Sequence, residues 1–281
     1  MSTERPSDAA NLPPIAFIGG GNMASAILGG LIRNGLSAAA VEVVEPHEEA
    51  RVRLRNDFGV VAQPTASAAI ERCAMVVWAV KPQTFADAAA SVRQWAGRCL
   101  HVSVAAGIPS DSIARWLGTE SVVRVMPNTP ALVGAGTTGM FARPQVSSEE
   151  RHQVERVLAP TGKLIWVDTE GALDAVTAMS GSGPAYVFYF VEAMIEAGVD
   201  MGLSESQARE LAIGTFTGAS ALAAAADDPP SVLRQRVTSK GGTTFAAIDS
   251  MERSQLKAHF KTAIRAAELR ARELAVEFGR N

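Results

Sequence analysis

Short runs rich in β-branched and aliphatic residues alternate with longer segments of helical period through the first three fifths of the chain. The runs at 15–18, 41–44, 75–80, 100–104, 122–126 and 164–167 read as strands of a parallel sheet buried on both faces. The segments between them are long enough for helical crossovers, so the pattern predicts an α/β fold, a doubly wound sheet of Rossmann type. Punctuation agrees with it. Gly35 follows a helical segment at 23–34, and Ser147 and Glu150 stand at capping-box spacing before the apolar positions 154–158. After Val167 the strand-like runs stop and the sequence turns Ala-rich and helical from Glu170. Pro184 is placed to open a helix over 185–197, Ser204 to cap the next, and Asp227-Asp228-Pro229-Pro230 to end it. The expected organisation is a flexible tail over 1–14, an α/β domain over 15–168 and an all-α domain over 169–281.

The helix expected at 185–197 carries Val187, Phe188, Tyr189, Phe190, Val191, Met194 and Ile195, more than one core-facing stripe holds. That excess predicts a homodimer or higher homo-oligomer whose partner subunit buries it. Composition narrows the class further. The 281 residues are 47% hydrophobic and 20% charged, which excludes disorder throughout, and 26 basic against 29 acidic residues give no basic field for a nucleic-acid backbone. Two cysteines, Cys73 and Cys99, make neither a disulfide scaffold nor a Cys-rich zinc site, so the compartment reads as reducing. The tail lacks the apolar stretch of a signal peptide, and the small-residue segment at 211–226 is interrupted by Gly214, Thr215, Thr217, Gly218 and Ser220. A cytoplasmic protein without membrane partners is expected.

Candidate chemistry begins directly after the first strand, where Gly19-Gly20-Gly21-Asn22-Met23-Ala24 fits Gly-x-Gly-x-x-Ala between a strand and a helix. Gly19 would make the tight turn, Gly21 would admit a pyrophosphate to the backbone, and Ala24 would allow close helix packing. The expected ligand is a dinucleotide. Glu45, ending the second strand, is placed either to bond an adenosine ribose or to be a solvated loop carboxylate. Ala79-Val80-Lys81-Pro82 closes another strand at its carboxyl end, the edge where open α/β sheets bind ligands, although Lys81 alone reads equally as a surface residue. Val104-Ala105-Ala106-Gly107 ends a further strand with residues small enough for a flat ring or for a close-packed helix. In Met126-Pro127-Asn128-Thr129-Pro130 the Asn128 amide fits either ligand binding or an Asx turn. None of His47, His101, His152 and His259 falls in a recognised catalytic motif.

Two later segments, Ser180-Gly181-Ser182-Gly183-Pro184-Ala185-Tyr186 and Ser239-Lys240-Gly241-Gly242-Thr243-Thr244, complete an ordered set by which the chain resembles pyrroline-5-carboxylate reductase from about Ile15 to Glu273. The resemblance implies reduction of (S)-1-pyrroline-5-carboxylate to L-proline, the last step of proline biosynthesis, with NADPH or NADH as a dissociable co-substrate and no metal, in an intertwined helical dimer. It places the cofactor on Gly19 to Ala24, Ala79 to Pro82 and Val104 to Ala106. It places substrate at Glu170, Thr243 and Thr244, on a loop shaped by Ser239, Gly241 and Gly242, with Asn128 as a further candidate. Lys240 stands where many relatives carry Pro, and Ala66 and Arg236 fall near positions that carry cofactor-contacting Asn in some of them.

A cyclic imine needs only its carboxylate fixed and one ring face presented to a hydride donor, which is catalysis by orientation. A glycine-rich loop opening a helix supplies backbone N–H donors for that carboxylate, with Thr244 the expected catalytic residue and Thr243 or Thr244 alternatively a simple helix cap. Glu170 is expected to orient the imine nitrogen. Two other readings compete. A 3-hydroxyacid dehydrogenase would place a Lys on the long helix at 186–197, which has none, and a dinucleotide-sensing protein would have no need of the Ser239 to Thr244 loop.

Overall fold

The computed structural model of the chain describes residues 8–279. Its sheet has seven strands in the order β2-β1-β3-β4-β5-β6-β7: β1 (Ile15–Ile18), β2 (Val41–Val44), β3 (Met75–Trp78), β4 (Leu100–Ser103), β5 (Val122–Met126), β6 (Gly136–Ala142) and β7 (Gly162–Trp166). The first five are parallel, with Ile15 opposite both Val41 and Met75. Strand β6 then runs antiparallel to β5, and β7 parallel to β6. All six expected strands form, with small differences at their ends. β6 is an addition that the sequence pattern did not predict.

Helices α1 (Asn22–Arg33), α2 (Glu48–Phe58), α3 (Phe85–Ala96), α4 (Ser110–Leu117) and α5 (Ser148–Leu158) flank this sheet. Successive strand residues point to opposite faces, which divides the core in two. Ile15, Phe17, Val43 and Val77 pack under Ile27, Leu28 and Leu31 of α1 and Val154, Val157 and Leu158 of α5. Ala16, Ile18, Val76 and Trp78 pack under Phe85, Ala89 and Val92 of α3 and Ile113 and Leu117 of α4. The predicted punctuation holds. Ser147 and Glu150 form a reciprocal capping box at α5, and Gly35 takes φ +93° just past α1.

The expectation of a flexible tail as far as Pro14 needs correction for residues 8–14; residues 1–7 lie outside the described residues. A 3-10 turn at Asp8–Asn11 leads into β1, and Ala9 and Leu12 are buried in the core because they cover the α1 side of the sheet.

After β7 come α6 (Ala172–Val176), a π-helical turn at Thr177–Gly181, α7 (Gly183–Asp200), α8 (Glu205–Ala225), α9 (Pro230–Arg236), α10 (Thr243–Arg253) and α11 (Leu256–Gly279). Contacts divide the described chain into two compact units: residues up to Ser182 together with those from Ala267 onward, and Gly183–Ala266. The division thus falls later than the end of the strand-like runs, and the reasons are local. Val176 packs on Gly139 of β6, and the Ser180 hydroxyl donates to the Thr137 carbonyl at 3.1 Å. The end of α11 joins the sheet unit because Leu274 and Phe278 lie on Gly107 and the Ser112 hydroxyl donates to the Gly279 carbonyl at 3.0 Å.

Within the helical unit α7 packs on α8, where a Cβ on Gly198 would come within 2.8 Å of Ala208 Cβ. Ser204 caps α8 in a reciprocal box with Gln207. Tyr186 and Phe190 meet Phe260 edge-on. Among the described residues of this unit only Gly198, Ala208 and Ala212 are buried. Val187, Phe188, Tyr189 and Met194 of α7 stand exposed, Tyr189 at 70%.

Candidate active site

In the sheet unit the carboxyl ends of β2, β1, β3 and β4 are joined by three backbone bonds. Gly19 N–H donates to Val44 at 2.8 Å, Ala79 N–H to Ile18 at 2.8 Å, and Val104 N–H to Trp78 at 3.1 Å. Gly19 has φ +96°, and a Cβ there would lie 2.5 Å from the Ala79 carbonyl oxygen, so only glycine lets the two strand ends approach. This is the point where strand order reverses, the place at which open α/β sheets form a ligand crevice. A cleft of about 1200 Å³ opens there, its lining including Gly19, Gly21, Glu45, Ala79, Val80 and Lys81, with Arg53 and residues 64–66.

Gly20 is buried over Leu54, whose Cδ1 would sit 2.7 Å from an added Cβ. Gly21 behaves differently. It is the N-cap of α1, extended at φ −74° and ψ −171°, and a Cβ there would meet nothing within 4 Å. Its missing side chain leaves open space before the helix start. The first intrahelical acceptor is Gly21 itself, bonded by Ser25 N–H at 2.9 Å, so the amides of Asn22, Met23 and Ala24 have no intrahelical partner. Ala24 is fully buried against the sheet. An open cradle, free amides and a helix N-terminus fit the pyrophosphate of a dinucleotide, and Gly19 to Ala24, Ala79, Val80 and Lys81 are the residues that would hold it.

Glu45 is only 5% exposed. Its Oε2 accepts the Gly20 N–H at 2.7 Å and its Oε1 the His47 N–H at 2.8 Å. It is therefore not the solvated loop carboxylate weighed as one alternative: it stands in the cleft wall with each oxygen bonded to a loop amide. Lys81 is exposed, and its carbonyl accepts both the N–H and the hydroxyl of Thr84 in the turn that Pro82 opens. Beyond β4, Ala105 is buried and its N–H donates to the Ser103 hydroxyl at 3.3 Å. Val104 and Ala106 are half-buried beside Gly107, at φ +75° with Leu274 Cβ and Phe278 Cδ2 each 3.2 Å from its absent Cβ. Close helix packing, the alternative weighed for these small residues, is therefore present.

Two expected substrate residues have other occupations in the sheet unit. Asn128 Nδ2 donates to the Ser180 carbonyl at 3.1 Å and hydroxyl at 3.2 Å, while Oδ1 accepts Thr137 N–H at 2.9 Å. This amide clamps the turn after β5 to β6 and to the π-helical turn. Glu170 accepts from Arg124 Nη1 at 2.7 Å and from the Ser110 N–H and hydroxyl at 2.5 and 2.6 Å, so it neutralises a buried guanidinium and caps α4. Its charge is thus compensated by Arg124. Arg124 was missed as its partner, although a lone arginine in Val122-Val123-Arg124-Val125-Met126 is itself the signal of a buried ion pair.

His101 is buried in β4, accepting the Trp78 indole N–H at 3.0 Å and facing the Ala96 carbonyl at 3.1 Å. Burial pushes its pKa down to about 4, so it is a neutral core imidazole. Burial and the nearby Glu42 push the Cys73 thiol up to about 11. Among the described residues no group of three His, Cys, Asp or Glu side chains could hold a metal ion, and no helix is long and apolar enough to cross a membrane.

In the helical unit the loop from Ser239 leads into α10. Gly242 N–H bonds the Ser239 carbonyl at 3.0 Å, and Gly241 turns the chain at φ +78°. A Cβ on Gly242 would lie 2.9 Å from the Ser239 hydroxyl oxygen. The N-cap is Gly242, with no side chain bonded to the helix start, so neither Thr243 nor Thr244 is the cap. Both threonines are exposed, and the amides of the first turn face outward: Ala246 N–H, bonded to Gly242 at 3.1 Å, is the first to find a helix carbonyl. Such a turn can receive a carboxylate.

Residues 170–274 match the family model described as pyrroline-5-carboxylate reductase dimerisation, and residues 14–107 match that described as NADP oxidoreductase coenzyme F420-dependent. The pyrroline-5-carboxylate reductase of Pseudomonas aeruginosa is 42% identical over 269 residues, covering 95% of this chain and 98% of that one. A solved pyrroline-5-carboxylate reductase from Coxiella burnetii is 36% identical with TM-score 0.89, covering 94% and 99% of the two chains. The pyrroline carboxylate reductase of Plasmodium falciparum, solved with NADP bound, is 27% identical with TM-score 0.84 over 94% and 98%. A dinucleotide-type cleft, an open helix start behind Gly241-Gly242 and near full-length similarity lead to one assignment: this chain belongs to the pyrroline-5-carboxylate reductase family.

Proposed function

We propose that the chain reduces (S)-1-pyrroline-5-carboxylate to L-proline with NADPH or NADH, as the last step of proline biosynthesis, in the cytoplasm and as a homodimer or higher homo-oligomer. The observation that carries this reading is the uncapped start of α10, where Thr243 and Thr244 stand exposed behind a glycine turn in a chain of this family. The amides of that turn hold the substrate carboxylate. The Thr244 hydroxyl and N–H fix the ring beside it, and Ser239, Gly241 and Gly242 shape the loop.

In the sheet unit the amides of Asn22, Met23 and Ala24 would hold the pyrophosphate, and the small residues Val104 to Ala106 would receive the nicotinamide. When bound, the reduced nicotinamide supplies a hydride to the ring carbon of the imine. The imine enters protonated, so its nitrogen keeps that proton and the chain needs no acid of its own. Exposed apolar residues on α7 supply the self-association surface, in a segment whose family model is described as a dimerisation region.

The test is the loss of NADPH or NADH absorbance on adding pyrroline-5-carboxylate, with proline identified as product. Proline formation supports the reading. Dinucleotide binding without turnover would leave a sensor, and turnover of 3-hydroxy acids in place of the imine would leave a dehydrogenase.

A further inference from the structure

We propose that Glu45 is a positioning residue for the glycine loop and does not discriminate between the two dinucleotides. The inference rests on the dinucleotide site proposed above and goes beyond it by assigning this carboxylate a part in building that site. One oxygen holds the loop that opens α1, through Gly20 N–H at 2.7 Å; the other holds the corner that opens α2, through His47 N–H at 2.8 Å. These loops form two walls of the cleft, and one buried side chain sets the spacing between them.

The surrounding bonds keep the carboxylate there. Glu45 N–H donates to Gln63 at 2.8 Å, and Arg51 Nη1 donates to the Glu45 and Pro46 carbonyls at 3.0 and 2.6 Å. The corner is thus held from the strand side and from α2, and the side chain projects under Gly20, where its Cγ and Oε2 would both lie 3.3 Å from an added Cβ. Because the Gly20 amide is engaged below, the anion is left to the amides of Asn22 onward. A shift of the loop displaces all of them together, and the pyrophosphate they receive is common to NADH and NADPH. Glu45 lines the cleft, but each of its oxygens already accepts a backbone N–H, so its charge is engaged by the two loops and not by the phosphate in which the two cofactors differ.

The experiment titrates the purified full-length chain with NADH and with NADPH by nucleotide fluorescence, comparing wild type, Glu45→Ser and Glu45→Gln, alongside steady-state kinetics. Glu45→Ser removes both acceptors; Glu45→Gln keeps one and turns an N–H toward the other donor. Losing bonds between a carboxylate and backbone amides should raise both dissociation constants by about tenfold in Glu45→Ser, with Glu45→Gln between. The ratio of the two constants should hold within about a factor of two, and the KM for pyrroline-5-carboxylate at saturating dinucleotide should not move. A purely structural role would lower the thermal midpoint and leave both constants near wild type far below it, which would overturn the proposal. A ratio shifted about tenfold toward NADPH would also overturn it, in favour of ribose reading. If Glu45→Ser fails to fold, Glu45→Gln decides by the same criteria. A wild-type chain that binds neither dinucleotide removes the site itself, a failure of the broader reading distinct from any change in ratio.

Discussion

Gly20 and Gly21 are neighbours in one motif, yet the structure assigns their missing side chains to opposite causes, and alanine at each separates them. At Gly21 the backbone is extended at φ −74° and an added methyl meets no atom within 4 Å. Alanine is a poorer N-cap than glycine by about 0.5–1 kcal/mol, but it restricts the unfolded chain by a similar 0.4–1 kcal/mol, so stability should change little. At Gly20 the methyl would meet Leu54 Cδ1 at 2.7 Å and Glu45 at 3.3 Å in a packed interior, an overpacking of about 1–3 kcal/mol. Binding should invert this order. The Gly21→Ala methyl occupies the approach of the pyrophosphate to the α1 amides, and each charge-assisted bond lost there is worth about 1.5–3 kcal/mol, or a roughly 10- to 150-fold rise in the dissociation constant. Thermal midpoints without nucleotide and fluorescence titration with NADPH, on both variants, give the two axes. A Gly21→Ala protein that binds NADPH as tightly as wild type would refute the placement of the anion at this helix start.

Four further outcomes are expected. Thr244→Ala should lower kcat/KM for pyrroline-5-carboxylate by roughly 10- to 150-fold with the thermal midpoint unchanged, since Gly242 is the cap of α10; a destabilised but fully active variant would remove Thr244 from the site. His101 titrates near 4 in the fold against 6.5 when unfolded, so the unfolded state binds more protons between those values and stability falls as pH drops through that window, by about 3 kcal/mol. Urea unfolding from pH 7 to pH 4 reads this, and the part due to His101 should vanish in a folded His101→Asn protein. Glu170→Ala should destabilise by about 2–4 kcal/mol by leaving Arg124 buried and unpaired, with the lower figure favoured by the partial exposure of Glu170; an unchanged urea midpoint would contradict the pairing. Light scattering at micromolar concentration should find at least a dimer, and a folded, active monomer would show that the exposed face of α7 needs no cover.

Positions in the fold were more legible in the sequence than the occupations of polar side chains. The parallel strands announced themselves through unbroken apolar runs, because both their faces are buried. β6 did not, since Gly136-Thr137-Thr138-Gly139-Met140-Phe141-Ala142 is shaped by close approach: a Cβ on Gly136 would lie 2.7 Å from Thr161 O, and one on Gly139 2.6 Å from Val176. Such glycines read as turns until their neighbours are known. Ala9 and Leu12 lacked periodicity in a short segment rich in polar residues, so their burial was hidden. Glu45, Asn128 and Glu170 were each recognised as polar groups at strand ends or helix starts. What they bond depends on residues 25, 52 and 60 positions away, Gly20, Ser180 and Ser110, and no local pattern encodes those pairings. The glycine turn and helix start of the Ser239 to Thr244 loop were legible because they are contiguous in the chain.

The return of α11 to the sheet unit bears on the order in which a ribosome can complete this molecule. Domains generally fold as units while synthesis proceeds from the amino end. Here Leu274, Phe278 and the Gly279 carbonyl, which cover Gly107 and bond Ser112, belong to the unit that begins at the other end of the chain. During translation the nascent sheet therefore waits, with the loop after β4 bare beside Ile108, Ile113 and Leu117, until residues 267–279 have been made and have cleared the exit tunnel. A fragment ending at Ser182 would keep that bare surface permanently, and only one that also carries residues 267–279 has the side chains that cover it.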